Sequence, residues 1–183
     1  MRPEEILACF AALIHAVAFC YYIREVRRGN IRTSLIGWGI QACLVFLNLG
    51  TWRSMIGNWA MSAPPTVGSI GCVAVFLVAV KFSAFEEKKG LTLIDKTVLA
   101  LSAVAVIVWC LLRSAAYANY IIQASFLISY APFYEKVWKN PGKEPSRPWF
   151  LWSCTYVVLT AAVFLSWRGK PGDLVFPIMS FAE

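Results

Sequence analysis

The chain has 183 residues, of which 59% are hydrophobic and 15% are charged, and its formal net charge is +7. Soluble domains carry about a quarter charged residues, so this composition and the mean hydropathy of +0.62 exclude an ordinary soluble domain. The positive charge does not indicate nucleic-acid binding, because the basic residues lie in loops that flank apolar runs. We therefore expect an all-α polytopic membrane protein surrounded by the lipid bilayer.

About 20 helical residues are needed to cross about 30 Å of hydrocarbon. Six apolar runs reach that length, at roughly residues 4–24, 33–52, 66–85, 91–112, 116–138 and 148–167. A seventh run, residues 171–183, is too short to cross at helical rise. The sequence thus predicts about seven transmembrane helices with a short last one, whose crossing stays open.

The loops differ in charge on the two sides of these spans. The loops between spans one and two, three and four, and five and six hold most of the basic residues: Arg24, Arg27, Arg28, Arg32, Lys88, Lys89, Lys136, Lys139, Lys143 and Arg147. The positive-inside rule places these loops in the cytoplasm and the amino terminus outside. We expect a multi-pass protein of the cell (inner) membrane. The first apolar run follows Glu4 and Glu5, without a basic start or an A-x-A site, so no cleavable signal peptide is expected.

An internal repeat organises the chain. A shift of about 111 residues aligns three pairs of identical residues, Val26 with Val137, Trp38 with Trp149 and Cys43 with Cys154. The shift predicts one domain, residues 1–183, with two three-helix repeats at 4–85 and 116–183, joined by a linker helix at 91–112. Transporters are commonly built from such repeats, with the substrate bound between them near the middle of the membrane.

Polar and aromatic residues share helix faces in a way that follows the repeat. On the second span, three- and four-residue spacing places Trp38, Gln41 and Asn48 on one face, and the repeat carries this face onto Trp152 and Tyr156. On the fifth span, Asn119, Gln123, Phe126 and Tyr130 form another face, whose repeat image on the first span contains His15. The agreement between polarity and the repeat supports both interpretations.

Two interpretations of these faces stay open. The amides can serve as hydrogen-bonded packing between helices, or they can line a central cavity that stacks and hydrogen-bonds a neutral polar solute. The candidate solute-binding residues are His15, Trp38, Gln41, Asn48, Asn119, Gln123, Trp152 and Tyr156. His15, the only histidine, is either a neutral core residue or the one ready candidate for proton coupling.

Three further residues are candidates for a gate or hinge. Pro132 removes a backbone hydrogen bond within the fifth span, so we expect a kink or hinge there. Lys81 and Asp95 lie near the cytoplasmic ends of spans three and four. Lys81 either extends its ammonium to the membrane interface while Asp95 begins a helix, or the two form an ion pair that closes an inner gate.

No chemistry other than binding is indicated. The six cysteines lie in apolar segments without a C-x-x-C pair, so we expect neither disulfides nor a metal site. The sequence has no nucleophile elbow, phosphate loop or metal-ligand spacing. We expect a protein that is not an enzyme and that has no cofactor.

The two hairpins resemble those of the SWEET/PQ-loop group of small transporters. The resemblance rests on YIREVRRG…GW in the first hairpin and YAPFYEKVWKNP…PWFLW in the second, and it looks closest to uncharacterised bacterial seven-span members. It implies two three-helix repeats, a linker helix and transport by alternating access, here of a small polar or aromatic solute. The alternative is a non-transporting receptor or complex subunit that uses the same fold as a binding platform. A homo-oligomer or a partner membrane subunit stays open.

Overall fold

The computed structural model describes residues 1–82, 90–139, 146–167, 169 and 172–182, without the side chains at 132, 133, 136, 139, 181 and 182. This part of the chain is helical and contains no β-strand. Its seven α-helices are α1 (Pro3–Arg27), α2 (Leu35–Ile56), α3 (Ala63–Lys81), α4 (Leu93–Leu112), α5 (Ala115–Lys139), α6 (Ser146–Leu165) and α7 (Gly172–Ala182). A 3₁₀ turn, Ala60–Ser62, precedes α3. The predicted all-α class is confirmed.

Five of these helices are long and apolar enough to cross a membrane: α1, α2, α3 together with its 3₁₀ turn, α4 and α6. Their outer faces carry large exposed apolar side chains, as on α1, where Ile6, Phe10, Leu13 and Val17 recur every three or four residues. Such a continuous apolar surface suits lipid rather than water. The 11-residue α7 is short, as predicted. Membrane crossing by α5 and α7 remains a prediction.

Local sequence explains where several helices begin. Ser34 precedes α2 and its Oγ accepts a 3.0 Å hydrogen bond from the backbone N–H of Gly37. At the start of α4, the backbone N–H of Asp95 donates to Thr92 Oγ1 at 3.1 Å, and the backbone N–H of Thr92 donates to Asp95 Oδ2 at 2.8 Å. These side chains satisfy first-turn N–H groups that have no partner within the helix. Asp95 therefore begins a helix, which was one of its two expected roles.

The start of α3 contains the proline pair Pro64–Pro65. Both prolines lie in the first turn of a helix that begins at Ala63, three residues before the predicted span at 66. Proline is tolerated there because first-turn N–H groups have no intrahelical acceptor. The helix ends at Lys81, and the remainder of the predicted span, 83–85, lies outside the described residues.

The helices form a ring. Their contacts close it in the order α1, α6, α7, α5, α2, α3 and back to α1. Helix α4 packs outside the ring, against α5 and α2. Only 17% of the apolar stretch of α4 is buried inside the protein, as its peripheral position requires.

The two ends of the ring differ. One end carries the last turn of α1 and the starts of α2, α4 and α6, together with Arg24, Arg27, Arg28, Arg32 and Arg147, and is called the basic end here. The loop lysines Lys88, Lys89 and Lys143 lie outside the described residues. The opposite end is packed by an apolar cluster: Ala8, Ala11, Trp52, Met61, Leu159, Ala162, Val163 and Phe176.

Candidate functional site

A cavity of about 1280 Å³ lies inside the ring. It exceeds the volume of about 300–1,000 Å³ that is common for ligand pockets, so it combines a binding region with a vestibule. At the basic end its lining includes the exposed residues Ser34, Gly90 and Thr92. Towards the opposite end it stops at buried side chains, which include Phe176. The cavity therefore opens at the basic end.

Trp52 lies at the centre of the contacts that close the opposite end. Trp52 of α2 has no exposed surface, and its indole Nε1 donates a 3.0 Å hydrogen bond to the carbonyl oxygen of Met61. Phe176 of α7 meets the Trp52 ring edge to face at 4.9 Å between centroids. The closed end thus depends on a contact between α2 and α7.

One side of the cavity is an aromatic wall, formed where α1 packs against α6. The aromatic wall consists of His15, Phe19, Tyr22, Trp149, Trp152 and Tyr156, with Trp38 of α2 at its edge. Ring centroids of Phe19 and Trp152 are 5.2 Å apart, and those of Trp149 and Trp152 are 4.8 Å apart. Both pairs are edge to face, the arrangement that the charge distribution of aromatic rings favours.

His15 belongs to this wall as an aromatic ring. Its imidazole is 4% exposed, stacks on Phe19 at 5.1 Å with an interplanar angle of 9°, and meets Tyr156 edge to face at 5.7 Å. Its Nδ1 is buried and has no hydrogen-bond partner in the part of the chain that the structure describes. The hydrogen-bonding capacity of this nitrogen is therefore not used within the described fold.

The facing side is an amide wall, formed where α2 packs against α5. Asn48 Oδ1 accepts hydrogen bonds from Asn119 Nδ2 at 2.9 Å and from Gln123 Nε2 at 2.8 Å. Closer to the basic end, Gln41 Nε2 donates to Ser129 Oγ at 2.8 Å. We define the amide wall as these five residues. Each bond joins the two helices, as the packing interpretation of the amides predicts.

Not all members of the amide wall face the cavity. Asn48, Gln41 and Ser129 line it, whereas Asn119 and Gln123 are at most 1% exposed and are absent from the lining. The two buried amides contact the cavity only through Asn48, which they hold in place. The packing and the cavity interpretations therefore describe different residues of one network.

The structure brings together six of the eight candidate binding residues as cavity lining: His15, Trp38, Gln41, Asn48, Trp152 and Tyr156. It adds Phe19, Tyr22 and Trp149, which lie on the same helix faces and could have been selected by spacing. Ser129 carried no such signal, because a single serine in an apolar helix is common. Phe176 lies in the segment that is too short to cross a membrane.

The candidate gate residues are dispersed. Asp95 lines the mouth of the cavity, whereas Lys81 is exposed at the end of α3, with its Nζ 5.8 Å from the centroid of the Phe82 ring. No ion pair joins Lys81 and Asp95, both of which the structure describes. Helix α5 continues through Pro132 without interruption, and the side chain of Pro132 lies outside the described part.

Charge is confined to the mouth of the cavity. Arg32 and Asp95 are the charged side chains of its described lining, and both lie at the basic end. Within the described residues, no group of three His, Cys, Asp or Glu side chains could hold a metal ion. The deep part of the cavity is therefore an uncharged space between an aromatic and an amide surface.

No protein-family model, curated protein or solved structure matches this chain.

Proposed function

We propose that this chain is a SWEET-like membrane transporter or facilitator, which carries a small polar or aromatic solute by alternating access between two three-helix repeats. The observation that carries the proposal is a central cavity that opens at the basic end and is packed at the opposite end. Alternating access requires a conformation of this kind, in which the site is reached from one side only. A non-transporting platform would instead predict a packed, dry centre.

The contacts between helices support the two repeats. Replacing α1, α2 and α3 by α5, α6 and α7 converts each contact of the ring into another contact of the ring: α1–α3 into α5–α7, α2–α3 into α6–α7, and α1–α6 into α5–α2. Helix α4 has no counterpart and packs outside the ring, as a linker helix would.

Burial at positions related by the 111-residue shift also supports the repeats. Ala8 and Asn119 are both 0% exposed, and His15 and Phe126 are both 4% exposed. In each of these two pairs the positions are equally buried although their chemistry differs. The helix pair α1–α6, which carries the aromatic wall, is the repeat image of the pair α5–α2, which carries the amide wall. The solute therefore lies between one stacking and one hydrogen-bonding surface.

The contacts also suggest how the cavity changes sides. The first repeat meets the second along α1–α6 and α2–α5, and α2 and α7 meet at the closed end. Rocking one repeat against the other, with Pro132 as a hinge, would separate Trp52 from Phe176 and close the basic end. We propose that the basic end faces the cytoplasm of a cell (inner) membrane and that the amino terminus lies outside.

Uptake into proteoliposomes tests the proposal. A panel of small neutral polar and aromatic solutes is offered, and at least one is expected to enter faster than into protein-free liposomes. Gln41→Ala should lower the initial rate because Gln41 lines the cavity, and Gln123→Ala should lower it by releasing Asn48. Thr97→Ala on the exposed side of α4 is the control. The proposal fails if no solute enters and both glutamine variants change stability alone.

A further inference from the structure

We propose that the deep part of the cavity binds an uncharged planar solute that carries a carbonyl group. Its ring lies against the aromatic wall, and its carbonyl oxygen accepts a hydrogen bond from Asn48 Nδ2. Calling this ligand the transported solute rests on the proposed function. The binding site itself follows from the orientation of one amide, from unused polar groups and from the distribution of charge.

The orientation of the Asn48 amide follows from its neighbours. Thr51 Oγ1 donates its proton to a backbone carbonyl, 3.0 Å from the oxygen of Leu47 and 3.1 Å from that of Asn48, so it acts as an acceptor towards Asn119. The Asn119 atom 2.9 Å from Thr51 Oγ1 is therefore Nδ2, and the same atom lies 2.9 Å from the Asn48 amide. The Asn48 atom that faces it must be the acceptor, Oδ1.

This orientation turns the other half of the amide towards the cavity. Gln123 also donates to Asn48 Oδ1, so both donors from α5 lie on the oxygen side of the planar group. The amide hydrogen bonds of Asn48 to Asn119 and Gln123 are both accepted by Oδ1, and Asn48 lines the cavity, so Nδ2 can donate into it. A donor that faces a binding cavity is available to a ligand. A carbonyl oxygen of the solute can satisfy it.

The aromatic wall supplies the second half of the site. Flat π surfaces stack best on a planar partner, which adds to the stabilisation from the area that they bury. In this wall, Trp152 Nε1 and His15 Nδ1 are buried without a hydrogen-bond partner in the described part of the chain. Their side chains are 9% and 4% exposed, and both residues line the cavity. A polar planar ring suits this surface better than a hydrocarbon.

The distribution of charged side chains in the cavity favours neutral solutes over ions. The deep lining has no charged side chain, so an ion would lose its hydration there without a counter-charge. Aromatic rings do attract cations, and Asp95 lies at the mouth. Asp95 Oδ2, however, already accepts hydrogen bonds from the backbone and the hydroxyl of Thr92, both at 2.8 Å. A neutral solute is therefore favoured over a cation.

Four probes of similar size test the proposal by binding to the purified full-length protein in nanodiscs. Benzamide is planar and neutral and has a carbonyl group. Cyclohexanecarboxamide keeps the amide without the flat ring, and benzoate and benzylammonium keep the ring with a charge. Benzamide should bind at millimolar concentration or below. Cyclohexanecarboxamide should bind about fivefold more weakly, and each ion at least about tenfold more weakly.

Two variants connect this ranking to the structure. Asn48→Asp keeps the acceptor for Asn119 and Gln123 and removes the donor, so benzamide binding should weaken about tenfold. Trp152→Leu should abolish the preference for benzamide over cyclohexanecarboxamide, whereas a purely structural role of Trp152 would weaken both equally. Trp138→Leu is the control, because Trp138 is 90% exposed. If Asn48→Asp does not fold, the binding order of the four probes and the Trp152→Leu variant still test the proposal.

Several results would overturn the proposal: no binding by any probe, tightest binding by benzylammonium or benzoate, or equal binding of the two amides. Uptake of some other solute without benzamide binding would reject this inference and leave the transporter proposal standing. Binding of benzamide with the predicted ranking, without uptake of any solute, would reject transport and keep the site.

Discussion

The indole Nε1 of Trp52 donates a 3.0 Å hydrogen bond to the carbonyl oxygen of Met61, and neither residue is more than 1% exposed. The bond ties the carboxyl-terminal part of α2 to the 3₁₀ turn that leads into α3. Phe176 of α7 packs on the same indole. Any conformation that opens this end must therefore move a fully buried tryptophan away from α7.

Replacing this indole with a benzene ring should destabilise the protein. Trp52→Phe keeps an aromatic ring but leaves the buried Met61 carbonyl without its donor, which costs about 1–3 kcal/mol. We expect a lower unfolding midpoint in detergent, measured by thermal denaturation. Trp59→Phe is the matched control, because Trp59 lies beside the same turn and is 68% exposed. Equal midpoints for the two variants would show that the hydrogen bond contributes nothing.

The two glutamines that join α2 and α5 should respond differently to removal of their amides. Gln123→Leu leaves Asn48 Oδ1 with one donor in a site closed to water, whereas Gln41→Leu frees Ser129 at a cavity that water can enter. A hydrogen bond between membrane helices contributes about 0.6 kcal/mol on average and up to about 1.7. Gln123→Leu should lower the free energy of unfolding by about 1.7 kcal/mol, and Gln41→Leu should lower it by about 0.6 kcal/mol or less. Reversible unfolding in mixed micelles measures both values. The reverse order would contradict the burial difference.

Helix periodicity explains why much of the site could be predicted. Residues three or four positions apart share a face, so the polar and aromatic residues of α1, α2, α5 and α6 could be grouped from the sequence. Periodicity does not tell which faces meet. Asn119 and Gln123 were candidates either for lining the cavity or for packing between helices, and both donate to Asn48. Such pairing depends on how α2 approaches α5, which no local pattern encodes.

Local sequence patterns likewise predicted a helix start, whereas the proposed gate depended on which helices meet. The role of Asp95 in beginning α4 was readable, because the T-x-x-D spacing of Thr92 and Asp95 is itself the cap. An ion pair between Lys81 and Asp95 required α3 and α4 to meet, and the main contacts of α4 are with α5 and α2. Phe176 was overlooked because the length of its segment argues against crossing a membrane but not against closing a cavity.

The orientation in the membrane is open to a direct test with single cysteines. In a background whose native cysteines are replaced by alanine, Asn30→Cys reports on the basic end and Trp59→Cys on the opposite end. The concentration of arginine at the basic end predicts that Asn30→Cys reacts with an impermeant maleimide in inside-out vesicles only. Trp59→Cys should react in right-side-out vesicles only. The opposite labelling pattern would place the cavity mouth outside the cell.

Two glycines one turn apart on α3 should differ sharply on substitution by alanine. A Cβ at Gly71 would overlap the ring of Phe19, so this ring would have to leave its position between His15 and Trp152. A Cβ at Gly68 would lie 3.5 Å from the His15 ring, an ordinary contact. Gly71→Ala should lower the free energy of unfolding by about 1–3 kcal/mol, whereas Gly68→Ala should leave it unchanged or raise it by up to about 1 kcal/mol through helix propensity. Equal effects on the unfolding midpoint would mean that Phe19 is not held against α3, and the aromatic wall would then lose its fixed position.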